Sequence, residues 1–394
     1  MVRDHRLAEV SNIIHYILER QDMLMTEHAG KCLLKAHGVP VPAGVLIRKS
    51  GHVQRWSGAY PVALKAQVSS GGRGKAGGVV RASDPGQAEA AAQQLFEREF
   101  GGESPASLLI EPWVEHSREL YLAVTVDGQS GGYVILYAPS GGVDVEHQAP
   151  HQYVFGSPRD FRAHELRSML AEVEPDGALR ERIVALARRL LFVATAIDAV
   201  TVEINPLAVL PDGKLLALDA KIVRDESAAF RQADLAVEIE RARKREPRRV
   251  AKALAGNLMM VGLDGEVGLM SGGAGMTMAT MDMIADAGLK PACFLDCSSN
   301  PTPAGYQLAF DVLDAEPKVK AILVSIFGGG TQIDRVAKVM NEIMMKRKSR
   351  KPVVFRMNGT GREKADAVMR DAGLHNHPTL ESAVDAVVAA VRTR

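Results

Sequence analysis

Ten consecutive residues, Ser69 to Gly78 (SSGGRGKAGG), place five glycines around Arg73 and Lys75. A loop this rich in glycine can bring backbone N–H groups against phosphate oxygens, because no Cβ blocks the approach. Arg73 and Lys75 add charge, and the apolar stretch just before the loop, PVALKAQV (61–68), adds Lys65. The spacing G-x-x-x-x-G-K-[ST] is absent, so this is not a Walker-type phosphate loop. The competing reading is a glycine linker with two solvated basic side chains. A second signal is AVTVEINPLAVLPDGKLLALDAKI (199–222). If Pro211-Asp212-Gly213 is a three-residue loop with Gly213 left-handed, Asn205 faces Asp219 and Glu203 faces Lys221. The period of two puts all four on one face of the ribbon. A carboxylate beside an amide oxygen suits Mg²⁺, which takes one or two protein oxygens and fills its shell with water and phosphate. The competing reading is the solvated face of a hairpin, and a slip of one residue undoes the pairing.

Glu111 ends the stretch SLLIE and Glu119 begins ELYLAVTVD. Carboxylates there can accept hydrogen bonds from an adenine amine or ribose hydroxyls, although each alone reads as a surface glutamate. Further along, Ser271-Gly-Gly-Ala-Gly275 and Gly328-Gly-Gly-Thr331 each follow an apolar strand and precede a helix. Between them Cys297-Ser-Ser-Asn-Pro301 leads into another helix, with Thr302 as N-cap and Pro303 at the first helical position. Such loops offer backbone N–H groups and a positive helix dipole, and tight turns are their plainer reading. His28 lies on an amphipathic helix with no partner in the pattern. No G-x-S-x-G or H-E-x-x-H motif occurs, and no covalent nucleophile presents itself.

The elements that must position these residues follow from periodicity. Thr26 caps a helix, EHAGKCLLKAHG, that ends at Gly38. Short strands are expected at 61–68, 107–111, 119–127 and 132–138, helices at 83–99 and 161–196, and a hairpin at 199–222. The charged stretch 223–250 reads as a linker. After residue 255 apolar strands at 266–270, 293–297, 319–327 and 352–357 alternate with helices, the pattern of a doubly wound parallel sheet. In such sheets ligands sit at the carboxyl ends of the strands. Residues 1–22 have apolar positions at helical spacing. KRKSRK (346–351) reads as a solvated basic run.

Composition sets the outer bounds. The 394 residues suggest two or three domains. Lys plus Arg number 48 and Asp plus Glu 47, a balance that argues against a nucleic-acid binder acting through bulk charge. Hydrophobic residues make up 46% and aromatics only 5%, so the cores must be aliphatic and rich in methionine. Cys32, Cys293 and Cys297 have no metal spacing and form no disulfide framework, which fits reduced thiols in a cytoplasmic setting. No apolar run is long enough to span a membrane.

Several of these stretches together, KAQVSSGGRGKAGG, RELYL, EINPL, LDAK, FRQ, GLDGEVGLM…GAG…ATMDMI and IFGG, resemble the β subunit of succinyl-CoA synthetase and the related malate–CoA ligase, in order from residue 24 to about 394. Residues 1–23 read as an N-terminal extension without a counterpart in the family pattern, and the resemblance implies an ATP-grasp nucleotide-binding domain (24–245) and a flavodoxin-like CoA-ligase domain (255–394), an α/β and α+β architecture. It implies ATP, Mg²⁺ and CoA, and an α subunit that carries a phosphohistidine and most of the CoA site, in an αβ or α₂β₂ assembly. Nucleotide contacts would fall on Lys65, Gly72, Arg73, Gly74, Glu111, the backbone at Val114, and Glu119. Metal ligands would be Asn205 and Asp219, the acidic residue near the phosphohistidine Glu203, and carboxylate-substrate contacts Gly272, Gly329, Gly330 and Thr331. Three places depart from the family pattern. SGGAG replaces VNGAG, so Gly272 stands where the family has an asparagine. Asp296-Cys-Ser-Ser-Asn-Pro301 replaces DVGGGA, and Gly328-Gly-Gly-Thr-Gln-Ile333 replaces GGI-V-R-C. Loss of an amide donor to a buried carboxylate costs about 1.5–3 kcal/mol, and Ser271, Ser298, Ser299 and Asn300 are the nearby substitutes. The expected function is therefore the β subunit of an ADP-forming ligase of a succinate- or malate-like acid. The alternatives are a catalytically altered regulatory or assembly subunit and, more remotely, a single-chain ATP-grasp ligase joining an acid to an amine.

Overall fold

A computed structural model of the chain describes residues 22–68, 73–142, 149–244 and 246–393. The helix expected over 1–22 and the loop residues 69–72, Gly72 included, lie outside the described residues, apart from Asp22. The strands are β1 (Asp22–Leu24), β2 (Val45–Ile47), β3 (Val62–Ala66), β4 (Val79–Ala82), β5 (Leu108–Pro112), β6 (Arg118–Val126), β7 (Tyr133–Ala138), β8 (His151–Phe155), β9 (Ala199–Val209), β10 (Leu215–Ala217), β11 (Lys221–Asp225), β12 (Met259–Gly262), β13 (Val267–Gly272), β14 (Cys293–Asp296), β15 (Ala321–Gly328) and β16 (Val353–Gly359). Two compact units part between Ala236 and Val237. No helix among the described residues is long and apolar enough to cross a membrane.

The N-terminal unit holds two sheets. The smaller runs β2-β5-β3-β4, all antiparallel, and packs on the helix Pro85–Glu97 through Ala88, Ala92 and Leu95. β3 is buried at every position, so its connection to β4, the glycine loop, issues from a fixed strand. The larger sheet runs β1-β11-β9-β6-β7-β8, with β10 also on β9. It is covered by the helices Ala163–Ala171 and Gly177–Ala196. One continuous helix was expected there. The chain breaks between them, where Glu174 turns wholly inward to take hydrogen bonds from Arg118 (2.8 Å) and Tyr137 (3.1 Å).

The expected hairpin is one long strand, β9, met by an interrupted return strand. Lys221 pairs with Glu203 as the turn predicts, and Gly213 has φ 76°. Leu215 pairs with Val209 in the same register. The stretch read as a linker begins inside β11. Arg224 is fully buried there, its guanidinium on Asp234 (2.6 Å) and the Ile197 carbonyl (3.1 Å).

The C-terminal unit is one five-stranded sheet in the order β12-β14-β13-β15-β16. β14, β13, β15 and β16 run parallel, and the edge strand β12, not visible in the sequence pattern, is antiparallel. Helices cover both faces. Leu269, Leu323 and Val354 pack toward the helices Ala274–Asp286 and Leu380–Arg392, whereas Val324, Phe355 and Met357 pack toward Pro303–Asp314, Ile333–Lys346 and Arg362–Asp371. The chain therefore reverses winding between β13 and β15. The run KRKSRK is not wholly solvated: the Arg347 side chain is 5% exposed, held by Asp314 (2.5 Å) and lying over the Phe310 ring.

Candidate functional site

The helix Glu27–Ala36 starts as the sequence predicts, with the Thr26 hydroxyl accepting the Ala29 N–H (3.4 Å). Its first turn carries Glu27, where the helix dipole favours a negative charge, and its second carries Lys31. Both side chains point inward rather than to solvent. Glu27 Oε1 accepts from Lys31 (2.7 Å) and Lys65 (2.9 Å), and Oε2 accepts from Arg73. Lys31 also grips both oxygens of Glu111, at 2.8 and 2.6 Å. Lys65, projecting from the middle of β3, reaches Glu111 (3.1 Å) and the Leu218 carbonyl (2.5 Å). Arg73 closes the set: one guanidinium nitrogen donates to Ala66 O (2.8 Å), the other to Glu27 and to both oxygens of Asp219 (3.0 and 3.1 Å).

Three cations thus meet three carboxylates, and the cluster is neutral as a whole. Burial alone would raise the Glu27 carboxyl, but Lys65, Lys31 and Arg73 outweigh it and hold the group well below the usual carboxylate range. Burial works against the Lys65 ammonium too, and Glu27, Glu111 and Asp219 overcome it, so Lys65 stays charged with its pKa raised. For Lys31 burial and the repulsion of Lys65 prevail, and its pKa is lowered. Glu27 and Lys31 escaped the sequence reading, because a Glu and a Lys four apart on an amphipathic helix look like an exposed surface pair. Lys65, Arg73, Glu111 and Asp219, by contrast, are candidates that the fold gathers into one place. Gly74 borders them, and its backbone carbonyl accepts the Gly77 N–H (3.0 Å).

A second group lies along β6 and β9. The His116 ring bridges the Val114 carbonyl and the Glu119 carboxylate, at 2.9 Å each. Gly141 donates its N–H to the Glu119 carbonyl (2.8 Å). The Asn205 amide exchanges two hydrogen bonds with the Gly142 backbone, accepting at 2.7 Å and donating at 3.2 Å. A Cβ on Gly142, whose φ is +97°, would lie 2.8 Å from Glu119 Oε2, so this close passage requires glycine. Glu203 accepts from the Tyr121 hydroxyl (3.4 Å), and burial followed by that carboxylate raises the phenol pKa. His116, Tyr121 and Gly142 carried no sequence signal.

Asp219 sits in the break between β10 and β11, bent back so that its Oδ1 accepts the Ala220 N–H (2.7 Å). The Leu218 N–H still bonds Pro206 O (3.1 Å), which keeps residues 205 and 219 in the predicted register. The donors offered by Asn205 and Asp219 are oxygen only, which fits a hard cation. Among the described residues no group of three or more His, Cys, Asp or Glu forms a metal cage. A cation here needs water or phosphate to complete its shell, as Mg²⁺ does.

In the C-terminal unit Gly272 ends β13 opposite Ile326, and Gly329, Gly330 and Thr331 follow β15. These two loops leave the carboxyl ends of adjacent strands where the winding reverses, the usual ligand crevice of a doubly wound sheet. Gly329 and Gly330 have open space where a Cβ would stand. The Asp296 Oδ1 accepts the N–H groups of both Gly273 and Ser298, at 2.8 Å each, and so ties the loop after β14 to the loop after β13. Ser271 is buried and donates to Ser325 O (2.7 Å). Ser299 donates to Asp296 O (3.0 Å), and Asn300 donates to Gly256 O (2.8 Å). Of the four polar residues near Gly272, Ser271, Ser299 and Asn300 therefore direct hydrogen bonds into the scaffold, and Ser298 is exposed.

Comparison with known proteins agrees with both halves. An ATP-grasp domain model matches residues 24–209 and a CoA-ligase model matches 270–390. The chain is 36% identical over 379 residues to a succinate–CoA ligase [ADP-forming] subunit beta of Ignicoccus hospitalis, covering 94% of this chain and 99% of the relative. It is 34% identical over 380 residues to a succinate–CoA ligase [GDP-forming] subunit beta of Thermus thermophilus, with the same coverage. Among solved structures, a chain of ATP citrate lyase from Methanothrix soehngenii shares the fold, with a TM-score of 0.69, 20% identity, and coverage of 94% of this chain and 100% of that one.

Proposed function

The chain belongs to the family of succinate–CoA ligase β subunits, acid–thiol ligases, and on that footing we propose how its residues serve an ADP-forming carboxylate–CoA ligase. One observation carries the proposal: the buried Lys65 and the part-buried Arg73 meet on Glu27 where the glycine loop leaves β3, and Asp219 lies on the same guanidinium. Lys65 and Arg73 take the nucleotide phosphates, joined by the backbone of Gly74 and by Gly72, the glycine-loop candidate outside the described residues. Glu111, already saturated by Lys31 and Lys65, holds those ammonium groups for the nucleotide. Glu119 and the Val114 backbone serve its base and ribose.

Asn205 and Asp219 would hold Mg²⁺, which supplies charge neutralisation on the transferring phosphoryl group. Following the family pattern, the phosphoryl acceptor is a histidine of a partner α subunit, which accounts for the lack of a covalent nucleophile among the candidate side chains, and Glu203, steadied by Tyr121, faces that histidine when it docks. Preorganised charges of this kind do most of the catalytic work in phosphoryl transfer. The phosphate then passes to the acid, and CoA, bound mainly by the α subunit, displaces it as the thioester forms. Gly272, Gly329, Gly330 and Thr331 offer backbone N–H groups to the acid carboxylate at the crevice between β13 and β15. The acid is succinate- or malate-like, and the protein works in the cytoplasm as a heteromer.

The test is ADP release by the chain co-purified with its α partner, given CoA, Mg²⁺, ATP or GTP, and succinate, malate, itaconate or sulfinopropionate in turn. Acid-dependent nucleotide turnover that vanishes in Asp219→Ala is the expected result. Nucleotide binding without phosphohistidine or ADP across the whole panel would sink the ligase reading and favour a regulatory or assembly subunit.

A further inference from the structure

We propose that Arg73 is an internal counter-cation for Asp219, which releases this candidate metal ligand only when a nucleotide phosphate draws the guanidinium away, so that the nucleotide opens the metal site. The inference rests on the reading of Lys65, Arg73 and Asp219 as one nucleotide site.

Both oxygens of Asp219 lie 3.0–3.1 Å from a single guanidinium nitrogen of Arg73. A divalent ion arriving alone must displace a full positive charge already in place. The other ligand is engaged as well: Asn205 Oδ1 accepts the Gly142 N–H at 2.7 Å. Every oxygen offered to the metal is thus bonded to a donor of the chain itself.

The exchange has a direction, because the partners of Arg73 differ in burial. The Glu27 side chain is 1% exposed, whereas that of Asp219 is 33% exposed. Glu27 keeps Lys31 and Lys65 when Arg73 turns away, so no buried charge is stranded. Asp219 keeps only solvent and the Ala220 N–H, and is left free to coordinate. A phosphate is the one ligand expected here that competes for a guanidinium in its own two-pronged geometry. The neutral charge count sets the order. Metal without nucleotide leaves the cluster with excess positive charge, whereas the nucleotide phosphates bring the negative charge that draws Arg73 away, and the metal then completes their neutralisation.

The probe is Mn²⁺ binding to the full chain without nucleotide, followed by the spin-resonance signal of free Mn²⁺, beside ADP binding in chelator by calorimetry. In Arg73→Met, Mn²⁺ affinity is expected to rise roughly tenfold over wild type, the worth of one charge-assisted contact, while ADP affinity falls by a similar factor. Adding Asp219→Asn to Arg73→Met must erase the gain in Mn²⁺. Arg73→Lys, which keeps the charge but cannot span both carboxylates, should shift both affinities the same way by less, and it carries the test if the methionine variant fails to fold. Unchanged or weaker Mn²⁺ binding in these variants, with ADP binding to wild type intact, would overturn the counter-cation and leave the nucleotide site standing. Wild-type chain that binds no ADP would overturn both.

Discussion

Glu27 carries three cations on one carboxylate, and at the scale of single residues it is the point on which the N-terminal site turns. Removing one partner from a buried, hydrogen-bonded ionic cluster costs about 3–5 kcal/mol, because the remaining charges stay buried and unbalanced. Glu27→Ala should lose that much in a denaturant titration. The pH dependence follows from the direction of the shift. The folded-state pKa of Glu27 lies below its ordinary value of 4.5, so the stabilisation is fully present above that pH. It drains away as the pH falls below 4.5 toward the folded value, as the unfolded chain takes up the proton first. Unfolding free energies measured from pH 6 down should show this acid loss, and it should be missing from Glu27→Gln. At the other unit, a Cβ on Gly272 would meet only Ile326 Cγ2, at 3.5 Å. Gly272→Asn should therefore fold with stability within about 1 kcal/mol of wild type. It should shift the acid preference in the panel assay toward succinate. Lys65, Arg73 and Asp219 were legible in the sequence because glycine-rich loops and strand alternation are local signals. Glu27 and Lys31 were not, because their burial depends on Glu111, eighty positions beyond Lys31.

At the scale of elements, the turn fixed what it could reach. Gly213 in its left-handed conformation set the register of β10 and β11 on β9, and with it the opposition of residues 205 and 219. The break at Asp219 could not be read, since it arises where the Leu218 carbonyl is taken by Lys65, a residue of the other sheet. The parallel strands of the C-terminal unit announced themselves as apolar runs with glycine-rich ends. β12 did not, as a four-residue edge strand has too little period to stand out. The loop after β15 depends on a neighbour in the same way. Gly359 pairs with Gly328 and has φ +118°, and a Cβ there would lie 2.2 Å from the Gly328 carbonyl oxygen. Gly359→Ala combines a strained backbone, worth about 1–3 kcal/mol, with this clash. Its melting temperature should fall, and acid-dependent turnover should fall more than nucleotide affinity, because Gly329 and Gly330 follow directly on the strand end that moves.

The whole molecule divides where the sequence is most charged. Leu235 is buried early in the helix Ala233–Arg243, just before the units part, whereas Val250 and Ala253 are buried against the C-terminal core in the helix Arg248–Ala255. Between these helices lies a short stretch in which Lys244 and Pro247 are exposed, and Lys244 and Arg245, flanked by Arg243 and Arg248, invite trypsin. Each unit has its own apolar core, the N-terminal one around Leu122, Ile183 and Ile204, the C-terminal one around Leu295, Val324 and Phe355. Cores separate in this way are expected of domains able to fold alone. Mild trypsin should therefore cut first between Arg243 and Arg248 and leave two fragments, each unfolding cooperatively. Every residue assigned here to the nucleotide lies in the first fragment. ADP at one hundred times its dissociation constant stabilises whatever binds it by about 2.7 kcal/mol, so it should raise the melting temperature of that fragment and leave the second unmoved. A shift in the second fragment would mean that residues beyond Arg243 hold part of the nucleotide, and the assignment to Lys65, Arg73, Glu111 and Asp219 would be incomplete. No shift in the first would place the phosphate-binding role of the glycine loop in error, whatever the acid proves to be.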